Sequence, residues 1–446
     1  MACNRILFIE TRPAPKPWTS QSNRFPMLGI GYMISYIQSR YPNVKCFLRS
    51  HYNVDLAFIK TLQPDLIGIS ATTPMFDDAV NLSMRLKPLR IPIIIGGVHI
   101  TSMTESLTKE FVLGVRGEGE ETILEIVKIL QEGGTLTQDV LSTINGIVFR
   151  QTDGSIKTTP RRPRILDLDS LPMPDRSKMS ISRGGRVHML TSRGCPYSCS
   201  FCSSSHFWGS KIKFRGVDSV IEEIEFLIKE YTPRMLCFYD DFFLANHKRF
   251  FAIAERILSL GIHKKTRFFV TSRASHITAE VCEALERINT RIVFMGFESA
   301  SPKVLNYLKP EKANPEIYDH AIELLKRYNL IVSASFIIGS PEETIDDVRQ
   351  TFQYIAKSRI DSVGIYPLVA YPGTKVWKDA IRFGVVNPEK VDWKKIDDWQ
   401  THYLARRLTR EEMKNWLSKL YREQFRRRVI FGLRGLLPFR PYSFYH

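Results

Sequence analysis

The sequence has no run of apolar residues long enough to cross a membrane, and its first ten residues hold only a short apolar run. A spanning helix needs about 20 apolar residues in a row, and a secretory signal needs an apolar core with a cleavage site. The 43% hydrophobic and 24% charged residues are typical of globular proteins. We therefore expect a cytoplasmic chain whose 446 residues form two or three domains.

Cysteine is scarce, with seven in the whole chain, and three of these fall in one short stretch as Cys195, Cys199 and Cys202. This distribution does not suit a disulfide framework and indicates a reducing compartment. The others are predicted to be ordinary core or surface thiols, namely Cys3, Cys46, Cys237 and Cys282.

Acidic residues are too few to balance the basic ones, which leaves a formal charge of +17. Such an excess indicates an acidic partner: nucleic acid, a membrane surface or an anionic substrate. Much of the excess lies between Arg406 and Arg440, where arginines alternate with apolar residues. The final stretch, Arg422 to His446, either contacts an anionic membrane peripherally, which would suit a lipid-like substrate, or forms a helix packed on its domain with a solvated basic face. No appended nucleic-acid module is recognisable, so nucleic acid is not an expected partner.

The three clustered cysteines follow the pattern Cys-x3-Cys-x2-Cys in the stretch 191–202. Thiols at this spacing can converge on one small inorganic group. Structural zinc usually takes four ligands in two separated pairs, but no second pair follows and His206 is a weak fourth candidate. An iron–sulfur cube held by three cysteines keeps one iron open for a substrate or cofactor.

Short apolar strands alternate with amphipathic helices over the first part of the chain. Strands are predicted at 6–9, 44–48, 66–70 and 92–95, and helices at 28–39, 54–61, 76–87 and 121–130. Alternation of this kind indicates a doubly wound parallel sheet, in which ligands bind at the carboxyl ends of the strands. Polar or small residues lie at those ends, namely Ser70, Thr72, Thr73, Gly96, Gly97 and His99. Gly117, Glu118 and Gly119 open the helix at 121–130, where backbone amides can bind a ligand.

A hairpin signal around Asp153–Gly154 and a linker at 151–185 precede a second series of strands. These are predicted at 187–191, 235–239, 268–271, 291–295, 332–338 and 363–367. Six strand–helix units are fewer than the eight that close a full barrel. Polar residues again follow the strand ends: Asp240, Asp241, Ser272, Arg273 and Glu298.

The cysteine pattern, with Phe201 before its last thiol, resembles the signature of the radical S-adenosylmethionine enzymes. The resemblance implies an open (β/α)6 partial barrel of the TIM type, a 4Fe-4S cluster on the three cysteines, and S-adenosylmethionine bound to the fourth iron. It places Asp240 and Asp241 at the cofactor's ammonium, Arg273 at its carboxylate, and Ser272 and Glu298 in the same binding region. The family's usual Gly-Glu is Asp-Asp here, which puts the partners in doubt, and Glu298 or Asp241 could instead cap helices.

The phrases at 64–70, 96–99 and 117–120 resemble the cobalamin-binding domain that precedes one class of these enzymes, over roughly residues 1 to 135. The resemblance implies a Rossmann-like domain that binds cobalamin at the strand ends named above. The Asp-x-His-x-x-Gly motif of other cobalamin proteins is absent, so we expect no histidine on cobalt and a displaced cobalamin base. Two roles remain open for His99, a cofactor contact or a local hydrogen bond.

Together these observations predict a cobalamin-binding domain at 1–150, a linker at 151–185, a partial barrel at 186–400 and a basic helical region at 401–446. The resemblance implies methylation of an unactivated carbon of a small-molecule or lipid-like substrate, with an electron donor such as flavodoxin or ferredoxin. Two alternatives are a non-methylating radical reaction on the same architecture, and a nucleic-acid-binding protein with a structural iron–sulfur site.

Overall fold

The structure is a computed structural model that describes residues 3–12, 27–310 and 313–433, with side chains up to residue 430. The chain forms two compact units. The first runs to Ile181 and includes His206–Trp208 and Asp392–Ile396; the second begins at Ser182 and takes the remainder. This boundary falls within the predicted linker. Residues 13–26 and the end of the predicted basic region, 434–446, lie outside the described residues.

The first unit is built on a seven-stranded sheet in the order β2-β1-β3-β4-β5-β6-β7. Its strands are β1 (Arg5–Glu10), β2 (Lys45–Ser50), β3 (Leu66–Ser70), β4 (Ile93–Gly96), β5 (Leu113–Val115), β6 (Ile147–Arg150) and β7 (Ile156–Thr158). The first five are mutually parallel, and the β6–β7 hairpin adds two antiparallel strands. The strand order 2-1-3-4-5 reverses direction between β1 and β3, which confirms the predicted doubly wound sheet.

The helices of this unit before Ile181 are α1 (Leu28–Arg40), α2 (Leu56–Leu62), α3 (Phe76–Leu86), α4 (Val98–Ser102), α5 (Glu120–Gln131) and α6 (Gln138–Thr143). The apolar faces of α1 and α5 pack on one side of the sheet, where Ile34 and Ile126 join Phe8 and Ile94 in a single core. Strands covered in this way read as continuous apolar runs, which explains why they were recognisable in the sequence.

The second unit holds a six-stranded sheet in the order β15-β14-β13-β12-β11-β8, and all its neighbours are parallel. Its strands are β8 (Arg186–Met189), β11 (Met235–Phe238), β12 (Arg267–Ser272), β13 (Thr290–Glu298), β14 (Ile331–Ile338) and β15 (Ser362–Pro367). Within the described chain, β8 and β15 form opposite edges that do not pair with each other. All six strands of the second series are therefore confirmed, in an open sheet. Two short strands, β9 (Ser192–Arg193) and β10 (Lys213–Phe214), form a separate antiparallel pair.

The helix α7 (Ser204–Trp208) lies mostly in the first unit, since His206–Trp208 belong to it. The helices of the second unit among the described residues are α8 (Val217–Tyr231), α9 (His247–Ser259), α10 (Ala279–Arg287), α11 (Pro302–Leu308), α12 (Pro315–Arg327), α13 (Ile345–Lys357), α14 (Lys375–Arg382) and α15 (Arg410–Leu433). A reciprocal capping box between Thr344 and Asp347 begins α13. No helix among the described residues is long and apolar enough to span a bilayer.

Candidate functional site

The loop that carries the three cysteines leaves the sheet after β8 and is held at both ends by other elements of the second unit. At its start, the backbone carbonyl of Thr191 accepts hydrogen bonds from the Arg215 amide at 3.0 Å and from the Arg249 guanidinium at 2.9 Å. At its far end, Ser200 donates its amide to the carbonyl of Leu308 and accepts from the amide of Val376. The loop, which we call the cysteine loop (191–202), is thus anchored by other elements of the second unit.

The thiols of Cys195, Cys199 and Cys202 are all half-buried and unbridged. Burial is the main reason that the pKa of Cys195 is raised to about 11 and that of Cys202 to about 12. The charges of Cys199 and Cys195 also raise the pKa of Cys202. No three His, Cys, Asp or Glu side chains of the described residues already stand in a metal-binding arrangement, so the thiols must converge further to chelate. Three soft donors on one anchored loop are the ligand chemistry of an iron–sulfur cluster.

The two aspartates after β11 have different surroundings. Asp240 is buried, and its carboxylate accepts hydrogen bonds from the Thr191 amide (2.7 Å), the Thr191 hydroxyl (2.6 Å) and the Ser192 hydroxyl (2.6 Å). These bonds connect Asp240 to the start of the cysteine loop, so its carboxylate is placed to support that loop. The resemblance had instead implied a contact between Asp240 and the ammonium of S-adenosylmethionine. Asp241 is exposed, accepts from the Ser204 hydroxyl at 2.8 Å, and raises the pKa of both Cys195 and Cys202 by its charge.

Arg273, which follows β12, lies against the cysteine loop. Its guanidinium stands 3.5 Å from the centroid of the Tyr197 ring and 3.9 Å from the Cys199 sulfur. The Ser272 hydroxyl is buried and donates to the backbone carbonyl of Arg273 at 3.1 Å. The structure therefore places the Arg273 guanidinium, at the end of β12, next to the Cys199 thiol. The Ser272 hydroxyl is bonded to the adjacent residue of its own chain segment.

Glu298 ends β13 in the left-handed region at φ 69°, an uncommon conformation for a residue other than glycine. Its buried carboxylate accepts from the Ser335 hydroxyl at 3.2 Å and pairs with the Lys309 ammonium at 3.5 Å. Burial raises the pKa of this carboxyl, and the charges of Lys309 and Arg273 oppose that shift. Neither Glu298 nor Asp241 caps a helix, so the alternative role considered for both is wrong.

At the carboxyl edge of the first unit's sheet, β1 and β3 end side by side. Thr11 donates both its amide (3.1 Å) and its hydroxyl (3.0 Å) to the carbonyl of Ser70. Thr72 is exposed, whereas Thr73 is buried in the short turn before α3. Hydroxyl groups thus collect at the switch point, where ligands of such sheets bind.

The glycines at the same edge serve two purposes. Gly97 has φ 109°, and a Cβ there would lie 2.4 Å from the Ala71 carbonyl oxygen, so glycine is required for close packing of two strand ends. A Cβ on Gly96 would make only ordinary contacts, and Gly117, at φ 76°, faces open space. The Glu118 carboxylate accepts from the Ile165 amide at 2.9 Å, and Gly119 packs against Met33.

His99 lies in α4, fully buried, and its Nε2 is 3.0 Å from the Ser106 hydroxyl. Its ring packs against Phe76 and edge-on to Trp393, at centroid distances of 4.0 and 4.5 Å. Burial lowers its pKa to about 3, so the imidazole is neutral. Of the two roles that the sequence left open for His99, these contacts fit the local hydrogen bond.

Sequence reasoning missed several residues of both sites: Lys309, Ser335, Arg215, Arg249, Tyr197 and Thr11. Lys309 lies at the end of α11 and Ser335 within β14, so no motif or periodicity links either to Glu298. A local signal existed only for Tyr197, which stands inside the cysteine pattern, and for Thr11, which directly follows a predicted strand.

Two family models match the chain. Residues 189–355 match the radical SAM superfamily, and residues 54–127 match the B12 binding domain. The radical SAM match covers the cysteine loop and the polar ends of β11, β12 and β13, while the B12 match covers β3, β4 and β5 with the residues at their ends.

Curated relatives cover most of the chain. An uncharacterized methyltransferase of Pyrococcus horikoshii is 31% identical over 412 residues, which are 89% of this chain and 87% of that protein. An anaerobic magnesium-protoporphyrin IX monomethyl ester cyclase of Rubrivivax gelatinosus is 29% identical over 66% of this chain and 54% of its own length.

Among solved structures, the radical S-adenosylmethionine methyltransferase TsrM of Kitasatospora setae, with cobalamin and a [4Fe-4S] cluster bound, has the same fold. Its TM-score is 0.71 at 17% identity, with 87% of this chain and 79% of that chain covered.

Proposed function

Because this chain belongs to the radical S-adenosylmethionine enzymes that carry a B12-binding domain, we propose that it methylates an unactivated carbon of a small-molecule or lipid-like substrate. The observation that carries this proposal is its 31% identity to a protein named a methyltransferase over nearly the full length of both chains. When bound, the cluster supplies the electron that cleaves S-adenosylmethionine to a 5'-deoxyadenosyl radical, and cobalamin supplies the methyl group.

The cysteine loop would hold the cluster through Cys195, Cys199 and Cys202. Asp241 is suited to bind the ammonium of S-adenosylmethionine, because its exposed carboxylate lies beside the thiols. The guanidinium of Arg273, 3.9 Å from the Cys199 sulfur, is suited to the methionine carboxylate. Asp240 would act as a positioning residue, since its carboxylate is occupied by donors at the start of the loop.

Glu298 and Ser335 would form hydrogen bonds with the ribose hydroxyls of S-adenosylmethionine. The ammonium of Lys309 would compensate the negative charge of the buried Glu298 carboxylate. In the first unit, the hydroxyls at the ends of β1 and β3 and the open space at Gly117 support cobalamin binding along that edge. We assign Gly97, Glu118 and His99 to shaping this edge, because each is engaged in internal contacts.

A reductant is required, and we propose a small redox protein such as a flavodoxin or ferredoxin in the cytoplasm. Pro196 and Tyr197 of the cysteine loop line a cavity of about 870 Å³ in the second unit, together with Lys211, His247 and His276. We infer that a donor approaches the loop through this cavity, where Lys211 offers a cation to an acidic protein.

Product analysis tests the proposal. Anaerobically prepared protein with cluster and cobalamin would be incubated with reductant, S-adenosylmethionine labelled in its methyl group, and candidate acceptors. We expect S-adenosylhomocysteine and 5'-deoxyadenosine in equal amounts and the label in the acceptor. The Cys202→Ala variant serves as the control that makes neither 5'-deoxyadenosine nor labelled product.

A radical reaction without methyl transfer, such as a cyclisation, is the second candidate, because a 29% identical relative is named a cyclase. The same assay separates the two. Consumption of an acceptor with 5'-deoxyadenosine but without S-adenosylhomocysteine would favour the second candidate and contradict methylation.

A further inference from the structure

The outward side of α15 carries three exposed apolar residues spaced four apart. Tyr421, Phe425 and Val429 are exposed by 43%, 64% and 41%, and the i, i+4, i+8 spacing places them on one side of the helix. Together they are three of the ten exposed large hydrophobic residues of the described chain. Isolated exposed apolar residues are ordinary, but a continuous row on one helix marks an interaction surface.

This side of the helix is fixed outward by buried contacts on the opposite side. Met413, Leu417 and Leu420, on the inner side of α15 itself, are buried. Arg427, itself buried, pairs with Glu423 and donates to backbone carbonyls around the end of α13, including that of Ser358 at 3.1 Å. The apolar row therefore cannot turn inward without breaking a buried ion pair.

Every charged side chain exposed on α15 between residues 413 and 430 is basic. These residues are Lys414, Lys419, Arg422, Arg426 and Arg428. The one acidic residue of this stretch, Glu423, is buried and bonded to Arg426 and Arg427. We call the apolar row with these five cations the outer face of α15.

The residues that follow in the sequence have the same character. Residues 431–446 contain Arg434 and Arg440, no acidic residue, and eight large apolar or aromatic side chains: Phe431, Leu433, Leu436, Leu437, Phe439, Tyr442, Phe444 and Tyr445. Because this segment and the outer face carry charge of the same sign, they repel and do not complement each other. Both are complemented by a surface that offers anions beside an apolar phase.

We propose that the outer face of α15 binds the surface of an anionic lipid bilayer. The aromatic and aliphatic side chains would enter the boundary between headgroups and acyl chains, and the cations would contact lipid phosphates and carboxylates. Nucleic acid would satisfy the cations but gives no apolar phase to Phe425 and Val429. This inference does not depend on the reaction that the enzyme catalyses.

Vesicle sedimentation of the full-length protein tests the proposal. Vesicles of phosphatidylcholine alone are compared with vesicles that also contain phosphatidylglycerol. We expect sedimentation with the anionic vesicles only, weakened by added salt. Replacement of Lys419 and Arg422 by glutamate should weaken binding by about tenfold or more, and Phe425→Ser should weaken it without a change in charge.

The matched control is the double variant Lys60→Glu and Lys87→Glu, which changes the net charge equally at exposed sites of the first unit. It should retain vesicle binding and shows whether location matters beyond total charge. Equal loss in both double variants, or binding that needs no anionic lipid, would overturn the proposal. So would a gain in binding on deletion of 434–446, which would show that this segment covers the face, or a preference for RNA over vesicles in competition.

Discussion

Asp240 and Asp241 are neighbours in the sequence, yet their environments assign them different tasks. The carboxylate of Asp240 is buried under three donors from Thr191 and Ser192, whereas that of Asp241 is exposed beside the thiols. The functional difference arises because successive residues after a strand point in different directions.

Replacing each aspartate by alanine should therefore give different defects. Asp240→Ala leaves buried donors unpaired, so we expect a loss of roughly 2–4 kcal/mol in the free energy of unfolding and reduced iron content. Asp241→Ala should keep iron and stability near the parent values, and raise the Kd for S-adenosylmethionine by about tenfold or more. Thermal melts, iron analysis and calorimetric titration measure the three quantities. Identical phenotypes would contradict these assignments.

Single Cys195→Ala, Cys199→Ala and Cys202→Ala variants should each lose the cluster, because three thiolates are the minimum that holds a cube with one open iron. Cys282→Ala, which removes a buried thiol of α10, is the control and should keep full iron content. Iron, sulfide and visible absorption would be measured after anaerobic reconstitution. A Cys202→Ala protein with a complete cluster that still cleaves S-adenosylmethionine would refute the cluster assignment.

At the scale of elements, a carboxyl group is buried next to the backbone that follows β14. Glu343 is fully buried, and its Oε2 accepts from the amides of Gly339 (2.6 Å) and Ser340 (2.9 Å), while Oε1 has no hydrogen-bond partner among the described residues. Burial raises its pKa from 4.5 to about 7. Protonation of Glu343 therefore stabilises the folded chain relative to the unfolded one.

This predicts a pH dependence of stability. Since the folded-state pKa is the higher one, the contribution of Glu343 is fully present below pH 4.5 and is lost as the pH rises through about 7. Glu343→Gln imitates the neutral form and should be more stable than the parent at pH 8, by about 3 kcal/mol at most. Melts from pH 5 to about 8 test this. Glu342→Gln, at an exposed residue paired with Arg407, should be slightly less stable instead; a gain there as well would argue against a specific effect.

The attachment of α15 depends on Arg427. Its guanidinium pairs with Glu423 and satisfies carbonyls of Ile355, Ala356, Ser358 and Ile360. Arg427→Ala should cost roughly 3–5 kcal/mol, because it leaves buried acceptors unpaired, and should make α15 sensitive to protease. Arg422→Ala, at an exposed position of the same helix, should change stability by less than about 0.5 kcal/mol. Equal protease sensitivity of the two variants would show that Arg427 does not anchor the helix.

At the scale of the whole molecule, the two matched families imply three cofactors in one chain. Part of the net charge of +17 lies on α15, so the charge does not require a nucleic-acid partner. The radical SAM match also accounts for the cysteine motif without a purely structural iron–sulfur site.

We expect anaerobically prepared protein to bind one cobalamin with the visible spectrum of the base-off form. Cobalamin at a hundred times its Kd should stabilise the fold by about 2.7 kcal/mol, measured as a rise in Tm. His99→Phe should leave the spectrum unchanged, because the imidazole is fully buried against Ser106 and Phe76. A spectral change in that variant would identify His99 as a ligand. Absence of cobalamin binding with an intact cluster would remove the basis for methyl transfer.

The sequence by itself determined the two series of strands and helices and the cysteine loop. It could do so because strand and helix periodicities and the Cys-x3-Cys-x2-Cys spacing are local features. Every strand predicted in the two series was found, and helix bounds such as those of α1 and α5 moved by a single residue. The elements that were missed include β5, α4 and α6 of the first unit and the β9–β10 pair of the second. The start of α4 depends on the close approach of Gly97 to Ala71, which are far apart in the chain.

Tertiary structure decided which polar residues are available and which are already bonded. Asp240, Glu118 and Glu298 have partners distant in sequence, Thr191, Ile165 and Lys309, which no local pattern specifies. Packing likewise determined which side of α15 faces outward. These outcomes depend on burial and on contacts between separate segments, because a charge or hydroxyl acquires its role only when the fold brings its partner to it.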